Sequence, residues 1–88
     1  MTRHIRIRGK VQGVFFRASA KEKADSMGIV GWVKNNLNGD VEIMASGPDA
    51  AIDLFLNWCQ RGPSGAVVNH VFSESGEDMA FNHFSILK

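Results

Sequence analysis

Five short stretches of the chain carry hydrophobic residues in patterns that are typical of β-strands. Residues 4–8 (HIRIR) and 41–46 (VEIMAS) alternate apolar and polar positions, whereas residues 29–35 (IVGWVKN) and 66–72 (AVVNHVF) are mostly apolar. The fifth stretch, residues 81–87 (FNHFSIL), places two large apolar residues two positions apart. A period of two indicates strands that are buried on one face. The pattern therefore predicts five strands.

Two segments between these strands carry apolar residues at helical spacing instead. The first segment has Phe16, Ala20, Ala24 and Met27, and the second has Ala51, Ile52, Phe55, Trp58 and Cys59. Spacings of three and four place each set on one side of a helix. Gly28 is a suitable end for the first helix, while Pro48 opens the second and Gly62-Pro63 ends it. Two helices are therefore predicted.

The predicted order is strand, helix, strand, strand, helix, strand, strand. Residues 35–40 (NNLNGD) supply the turn of a hairpin, and residues 73–78 (SESGED) are expected to form a solvated loop. Helices separated by hairpins are typical of an α+β sandwich, in which both helices cover one face of a mainly antiparallel sheet. No repeat, low-complexity tract or linker divides residues 1–88, so one domain is expected.

The amino-acid composition indicates the general class of protein to which the chain belongs. Of the 88 residues, 44% are hydrophobic and 22% are charged, which is typical of a soluble globular protein. No apolar run approaches the roughly 20 residues of a membrane span, and the N-terminal residues lack the apolar core of a signal peptide. Cys59 is the only cysteine, which fits a reducing compartment and a buried packing role. We therefore expect a cytoplasmic protein with no membrane partner.

The charge of the chain is small overall but unevenly distributed. The net charge is +1, which gives no global field to attract a nucleic acid. Seven of the ten basic residues nevertheless lie in the first 23 positions, where Glu22 is the only acidic residue. On charge alone, solvated faces of a strand and a helix explain this cluster better than an anion site near the first loop.

The stretch between the first strand and the first helix, residues 9–17 (GKVQGVFFR), contains no Asp, Glu, His, Cys or Ser. It leads into a helix N-terminus, where main-chain N–H groups are unpaired and the helix dipole is positive. Gly9 and Gly13 permit conformations in which successive N–H groups converge, and the planar guanidinium of Arg17 can bind two phosphate oxygens. Either such an anion site or a tight turn with a surface ion pair at Arg17 fits this composition.

The residue types exclude several other chemistries. The loop lacks the G-K-[ST] ending of a nucleotide-binding P-loop, and no cysteine precedes Arg17 as it would in a phosphotyrosine phosphatase. No carboxylate cluster or H-x-x-x-H spacing indicates a metal site, so no metal is expected. His4, His70 and His83 lie on three different predicted strands and are interpreted as surface or packed residues.

A second candidate segment, residues 31–39 (GWVKNNLNG), ends a strand in a hairpin. Asparagine is a favoured turn residue, and nothing local distinguishes Asn35 from Asn36 or Asn38. An amide at this place can still orient a water molecule, because it both donates and accepts hydrogen bonds.

Residues 9–17 resemble the signature loop of the acylphosphatase family, G-x-V-Q-G-V-x-[FY]-R. The fixed positions are met by Gly9, Val11, Gln12, Gly13, Val14, Phe16 and Arg17. Residues 31–47 resemble the second signature of the family through Gly31, Trp32, Val33, Lys34, Asn35, Gly39, Val41 and Gly47. Beyond Pro48 the agreement is one of pattern only. The resemblance implies a ferredoxin-like βαββαβ sandwich with an extra C-terminal strand.

The resemblance also implies an enzyme that hydrolyses the carboxyl–phosphate anhydride of small acyl phosphates by direct attack of water, without metal or cofactor. Arg17 would bind the phosphoryl group, and Asn35 would hold the attacking water. The phosphate-binding loop would present its main-chain amides to the phosphoryl oxygens; its residues are Val11, Gln12, Gly13, Val14, Phe15, Phe16 and Arg17. Inorganic phosphate and similar anions would compete with the substrate, and a monomer is expected.

Two alternatives come from other functional classes. A non-catalytic module of the same fold would hold a phosphate or a carboxylate without turnover, although the presence of both Arg17 and Asn35 favours the enzyme. An RNA-binding module shares the βαββαβ order but stacks bases on aromatic residues of its central strands. The third predicted strand contains no aromatic residue, so no nucleic-acid partner is expected.

Overall fold

The computed structural model describes residues 1–88 and contains five strands and two helices. The strands are β1 (Thr2–Lys10), β2 (Val30–Asn35), β3 (Val41–Ser46), β4 (Val67–Ser75) and β5 (Phe84–Ile86). The helices are α1 (Phe16–Ser26) and α2 (Asp49–Cys59), and neither is long and apolar enough to span a bilayer. The predicted order of elements is confirmed.

The five strands form one sheet in the order β4-β1-β3-β2-β5. Strand β1 pairs antiparallel with both β3 and β4, and β2 pairs antiparallel with β3. Strand β5 lies at the edge of the sheet and pairs parallel with β2. The predicted ferredoxin-like α+β fold with an extra C-terminal strand is therefore confirmed.

One face of the sheet carries the core, and both helices pack on that face. Ile5 and Ile7 of β1 are buried together with Phe16 of α1 and Phe55 of α2 in one cluster of fifteen residues. Cys59 belongs to the same cluster, and burial raises the pKa of its thiol well above the usual value. A thiol of this kind is inert, which confirms the predicted packing role.

The structure corrects the prediction for residues 73–78. Strand β4 continues through Ser75, so Ser73–Ser75 belong to the strand and not to a solvated loop. Their main chain pairs with Arg3–Ile5 of β1. The side chains of Ser73–Ser75 are exposed on an edge strand, so no alternation of apolar residues marks them in the sequence.

The ends of two other strands differ from the prediction. Strand β1 extends beyond residues 4–8 at both ends, and β5 covers only part of residues 81–87. Main-chain hydrogen bonds join Gly31 to His83 and Leu87 to Val33 on either side of β5, at N···O distances of 3.0 and 2.8 Å. These bonds hold the segment that follows β5 against the end of β2, which becomes part of the site described below.

Phe55 and Leu54 are neighbours in α2, and substituting each of them tests how much the core contributes to the free energy of unfolding. Phe55 is 0% exposed, whereas Leu54 is 59% exposed. We expect Phe55→Ala to lower the free energy of unfolding by about 3–5 kcal/mol, because it removes a buried ring and leaves a cavity. Leu54→Ala should change it by less than about 0.5 kcal/mol. Urea unfolding followed by circular dichroism measures both, and equal losses would contradict the orientation of α2.

Candidate active site

The loop between β1 and α1, residues 11–15, has a positive φ angle at two positions that are separated by one residue. Gly13 has a φ of 73° and Phe15 a φ of 62°, whereas Val14 between them does not have a positive φ. Alternation of this kind turns successive main-chain N–H groups toward one point and makes an anion-binding concavity. A Cβ atom at Gly13 would meet no other atom, so glycine is favoured there by its backbone conformation alone.

Gly9 fixes the point at which the chain leaves β1. Its φ is 142°, and a Cβ atom here would collide with the main-chain oxygen of Val67 in β4. The register between β1 and β4 shifts between Arg8 and Gly9. Such an irregularity bends a strand and redirects it. The first glycine of the motif therefore serves close packing, and it directs the chain into the loop.

The main-chain N–H groups of this loop are not used within the protein backbone. The N–H groups of Gln12, Gly13, Val14 and Phe15 donate to no main-chain carbonyl. No side chain caps the start of α1. Unpaired N–H groups and the positive end of the helix dipole both favour a negative charge at this place.

A cleft of about 640 Å³ opens beside the loop. Its lining residues are Val11, Gly13, Phe15, Phe16, Arg17, Ala18, Asn35, Ile86 and Lys88. The two residues that the sequence predicted as catalytic, Arg17 and Asn35, are thus brought together from separate elements. The side chains that line the cleft include no carboxylate, imidazole, thiol or hydroxyl group, and besides Arg17 the only ionisable side chain among them is the amine of Lys88.

Arg17 lies in the first turn of α1 and is partly buried. Its Nη1 donates a hydrogen bond to the main-chain oxygen of Leu87 at 3.3 Å. No carboxylate forms an ion pair with its guanidinium. The surface ion pair that one of the two interpretations expected at Arg17 is therefore not formed. Because its partner is a neutral carbonyl, Arg17 keeps its charge and most of its five donors for an anion.

Asn35 is the last residue of β2 and pairs with Val41 of β3. Its side-chain oxygen Oδ1 is buried and accepts no hydrogen bond from the protein. The other asparagines differ, because the main chain of Asn36 closes the turn and Oδ1 of Asn38 accepts the N–H of Asp40 at 3.0 Å. The structure thus separates three asparagines that the local sequence does not distinguish.

Gln12 connects the loop to the hairpin between β2 and β3. Its Nε2 donates to the main-chain oxygens of Asn36 at 2.8 Å and of Asp40 at 3.0 Å. Its side chain does not line the cleft, and neither does that of Val14, which packs against the core. Gln12 and Val14 can therefore contribute only their main-chain N–H groups to the binding of an anion.

Three residues of the cleft were not singled out in the sequence. Ala18 follows Arg17 in α1, whereas Ile86 and Lys88 come from β5 and the segment after it. Only the pairing of β5 with β2 brings this part of the chain to the cleft. The alternation of residues 81–87 indicated a strand, but it carried no information about which strand would be its neighbour.

Titratable groups with unusual surroundings lie outside the cleft. Nε2 of His4 contacts Glu42 at 2.5 Å, and its Nδ1 contacts Glu74 at 3.4 Å. Burial acts to raise the pKa of the Glu42 carboxyl, but hydrogen bonds with His4 and Asn36 and the charge of Lys34 outweigh it, so this pKa lies below its usual value. No group of His, Cys, Asp and Glu side chains is arranged to hold a metal ion.

Comparison with known proteins identifies the family. Residues 3–86 match the family model described as Acylphosphatase. The chain belongs to the acylphosphatase family. A curated acylphosphatase of Gloeobacter violaceus is 40% identical over 85 residues, which cover 97% of this chain and 91% of the relative.

Two solved acylphosphatase structures are similar over nearly the whole chain. The one from Coxiella burnetii superimposes with a TM-score of 0.95 at 38% identity and covers 98% of this chain and 90% of its own. The one from Bacillus subtilis has a TM-score of 0.95 at 34% identity, with 99% and 98% covered. The predicted family and the predicted enzyme class are confirmed, and membership of the acylphosphatases supports acyl phosphate hydrolysis.

The two hydrogen bonds of Gln12 join the loop to the hairpin between β2 and β3, so we expect the hairpin to hold the loop in place. We expect Gln12→Ala to lower the free energy of unfolding by about 1–3 kcal/mol, because two carbonyl oxygens lose their shared donor. The variant should also bind inorganic phosphate more weakly, because the N–H groups of the loop lose their fixed position. Urea unfolding and calorimetric titration measure the two effects.

The control for this prediction is Gln60→Ala, which changes an exposed glutamine next to α2. It should alter neither stability nor phosphate affinity. Unchanged phosphate affinity in Gln12→Ala would show that the loop keeps its conformation without the hairpin.

Proposed function

We propose that the chain hydrolyses the carboxyl–phosphate anhydride of small acyl phosphates by direct attack of water on phosphorus. The observation that carries the proposal is the content of the cleft. Arg17 and Asn35 lie there beside the unpaired N–H groups of the loop, and no lining residue has a carboxylate, imidazole, thiol or hydroxyl group. Such a site suits an oxyanion and a neutral nucleophile better than a covalent phosphoenzyme.

The phosphoryl group would lie at the start of α1, where its oxygens accept hydrogen bonds from the main-chain amides of Val11 through Arg17. The free N–H groups of Gln12 to Phe15 and the dipole of α1 support this position. Arg17 adds a full charge and a planar pair of donors. In a loose transition state the charge spreads over the phosphoryl oxygens, so preorganised donors around them lower the barrier.

Asn35 would hold the attacking water. Its Oδ1 is buried and accepts no hydrogen bond within the protein, and Asn35 lines the same cleft as Arg17, so the side chain would turn this oxygen toward the cleft to receive the water. An amide oxygen that accepts one hydrogen of a water molecule directs a lone pair of that water elsewhere. Holding this lone pair toward phosphorus converts a bimolecular attack into an effectively unimolecular one.

The bond changes need no acid or base from the protein. The bond from water oxygen to phosphorus forms as the bond from phosphorus to the acyl oxygen breaks, and the bonding electrons leave with the carboxylate. A carboxylate is stable as an anion, so it departs without a proton. The proton of the water passes to a phosphoryl oxygen, which gives the carboxylate and inorganic phosphate as products. No cofactor takes part in this scheme.

The proposed partner is a small acyl phosphate, with inorganic phosphate and similar anions as competitors. The monomeric state and the cytoplasmic location stay predictions, and size-exclusion chromatography with light scattering tests the first of them.

The deciding experiment measures release of phosphate from acetyl phosphate in the presence of EDTA, with p-nitrophenyl phosphate as the monoester control. We expect release from the acyl phosphate only. A folded protein that binds inorganic phosphate but releases none would favour the alternative of a non-catalytic module. Loss of activity in EDTA that returns with a divalent cation would contradict the metal-free scheme.

Arg17 is expected to serve both binding and turnover. Arg17→Ala should abolish measurable phosphate binding and lower kcat/KM by about 10³-fold or more, as for other arginines that stabilise a transferring phosphoryl group. Arg17→Lys keeps the charge but loses the planar fork, and it should also be poor. The matched control is Arg61→Ala, which changes an exposed arginine after α2. Wild-type kinetics in Arg17→Lys would show that charge alone is sufficient.

Asn35 is expected to serve turnover much more than binding. Asn35→Ala should lower kcat by about 10²–10³-fold, the usual effect of removing one preorganised group. The inhibition constant of inorganic phosphate should stay close to that of the wild type. Stability should be equal or higher, because the substitution removes a buried acceptor without a partner. Turnover near the wild-type rate would exclude a water-positioning role, and Asn57→Ala on the exposed side of α2 is the control.

A further inference from the structure

Strand β4 forms one edge of the sheet and has nine residues, whereas β5 at the other edge has three. Proteins usually protect an edge strand with lysine, proline, a bulge or a very short strand. Residues 67–75 (VVNHVFSES) contain no lysine, arginine or proline, and most of them are exposed. The shift in register between Arg8 and Gly9 affects only the start of β4. The rest of this edge is open to another strand.

The hydrogen bonds between β4 and β1 determine which main-chain groups face outward. Gly76 donates its N–H to the carbonyl oxygen of Thr2 at 3.0 Å, so these two residues form a hydrogen-bonded pair. Such pairs alternate along an antiparallel ladder. The main-chain groups of Val71, Ser73 and Ser75 therefore point away from β1. A strand that pairs with β4 has to use these groups.

The side chains of the alternate residues form an exposed strip on the face of the sheet that the helices leave uncovered. His70, Phe72 and Glu74 lie opposite residues of β1 that alternate with buried Ile5 and Ile7. The ring centroids of His70 and Phe72 are 5.9 Å apart. The strip thus carries an imidazole, an aromatic ring and a carboxylate in this order. A strip of this kind is complementary to its own reverse.

We propose that two copies of this chain pair through β4, antiparallel and related by a two-fold axis at Phe72. In this register Val71 of one copy pairs with Ser73 of the other, which uses the outward main-chain groups. Phe72 then lies opposite Phe72 of the second copy, and His70 lies opposite Glu74. Side chains are closest at positions of this kind, where the opposed residues exchange no main-chain hydrogen bond. The result is one continuous sheet across both copies.

The side chains favour this register over its neighbours. Aromatic pairs and pairs of opposite charge directly across two strands stabilise a sheet, and like charges destabilise it. With the axis at Ser73, Phe72 would lie opposite Glu74, and with the axis at Glu74 two carboxylates would meet. With the axis at Val71, Phe72 would lie opposite His70, and Glu74 would have no charged partner.

Glu74 is free to take part in this contact. Its side chain is 77% exposed, and its only partner in the chain is Nδ1 of His4 at 3.4 Å. A carboxylate has two oxygens and accepts several hydrogen bonds. The imidazole of His70 in the second copy can therefore donate to Glu74 while the contact with His4 is kept.

The pairing is expected to be weak and to leave the candidate active site open. One strand from each copy makes few contacts, so the total buried surface should lie below the roughly 1,200 Å² at which stable interfaces begin. The monomer expected from the sequence would then be the dilute form of the protein. Strand β4 lies at the edge opposite to β5, which lines the cleft. The pairing is therefore independent of the proposed function, and any turnover per chain should stay the same.

Disulfide trapping tests the register. Phe72→Cys places two thiols directly opposite each other, at a Cα–Cα distance of about 4.5 Å that a disulfide can bridge. Ser75→Cys is the matched control, because residue 75 would lie about 20 Å from its own copy. Native Cys59 is buried and is present in both variants. Under mild oxidation at high protein concentration, Phe72→Cys should form covalent dimers about tenfold faster or more.

Sedimentation equilibrium from micromolar to millimolar protein measures the dimer itself. The average mass should rise with concentration in the wild type but not in Ser73→Pro, because proline removes an outward N–H and leaves the ladder with β1 intact. His70→Glu should raise the Kd of the dimer about tenfold, because it places like charges opposite each other. Adding Glu74→Lys to His70→Glu should restore the affinity by making a pair of opposite charges again.

Three outcomes would overturn the pairing. The first is a mass that stays that of one chain up to millimolar concentration. The second is a dimer that a folded Ser73→Pro leaves unchanged, since another surface would then form it. The third is equal trapping of Phe72→Cys and Ser75→Cys, and this comparison decides if circular dichroism shows that Ser73→Pro does not fold.

Discussion

The main-chain conformation of residues 11–15 is the constraint on which the rest of the site depends. Positive φ angles at Gly13 and Phe15 turn the N–H groups of the loop outward, where no carbonyl of the protein reaches them. A strained and unpaired conformation persists only if the surrounding structure imposes it. Two contacts impose it here: Gly9 lies against the main chain of Val67, and Gln12 is tied to the hairpin.

The sheet brings three distant parts of the chain to one end. The loop leaves β1, Asn35 ends β2, and the segment after β5 lies beside β2 because β5 pairs with it. Two side chains then connect these parts, Gln12 to the hairpin and Arg17 to Leu87. In both cases the acceptors are main-chain carbonyls. These contacts therefore fix the geometry of the site, and no carboxylate neutralises the positive charge of Arg17.

Much of this arrangement was predictable from the sequence, because the motif residues act through local conformation. The periodicity of apolar residues predicted every element, and residues 9–17 indicated both the loop and Arg17. Three features of the structure could not be predicted from the sequence, each for a physical reason. Ser73–Ser75 form strand through main-chain pairing alone, which leaves no apolar pattern. Ile86 lies at the cleft only because of the order of the strands in the sheet. Asp40 is buried because Arg8 and Asn38 donate hydrogen bonds to its carboxylate, and the sequence of the turn does not reveal these partners.

The proposed chemistry also suits the small core of a chain of 88 residues. A site that uses acids and bases with shifted pKa values must bury ionisable groups, and each buried ion costs several kcal/mol after relaxation. A core of fifteen residues has little stability to offset such costs. An acyl phosphate already has a leaving group that needs no proton, so the proposed mechanism requires only main-chain donors, Arg17 and Asn35. An anion that fills such a cradle also returns stability to the fold, about 2.7 kcal/mol when its concentration is 100 times its Kd.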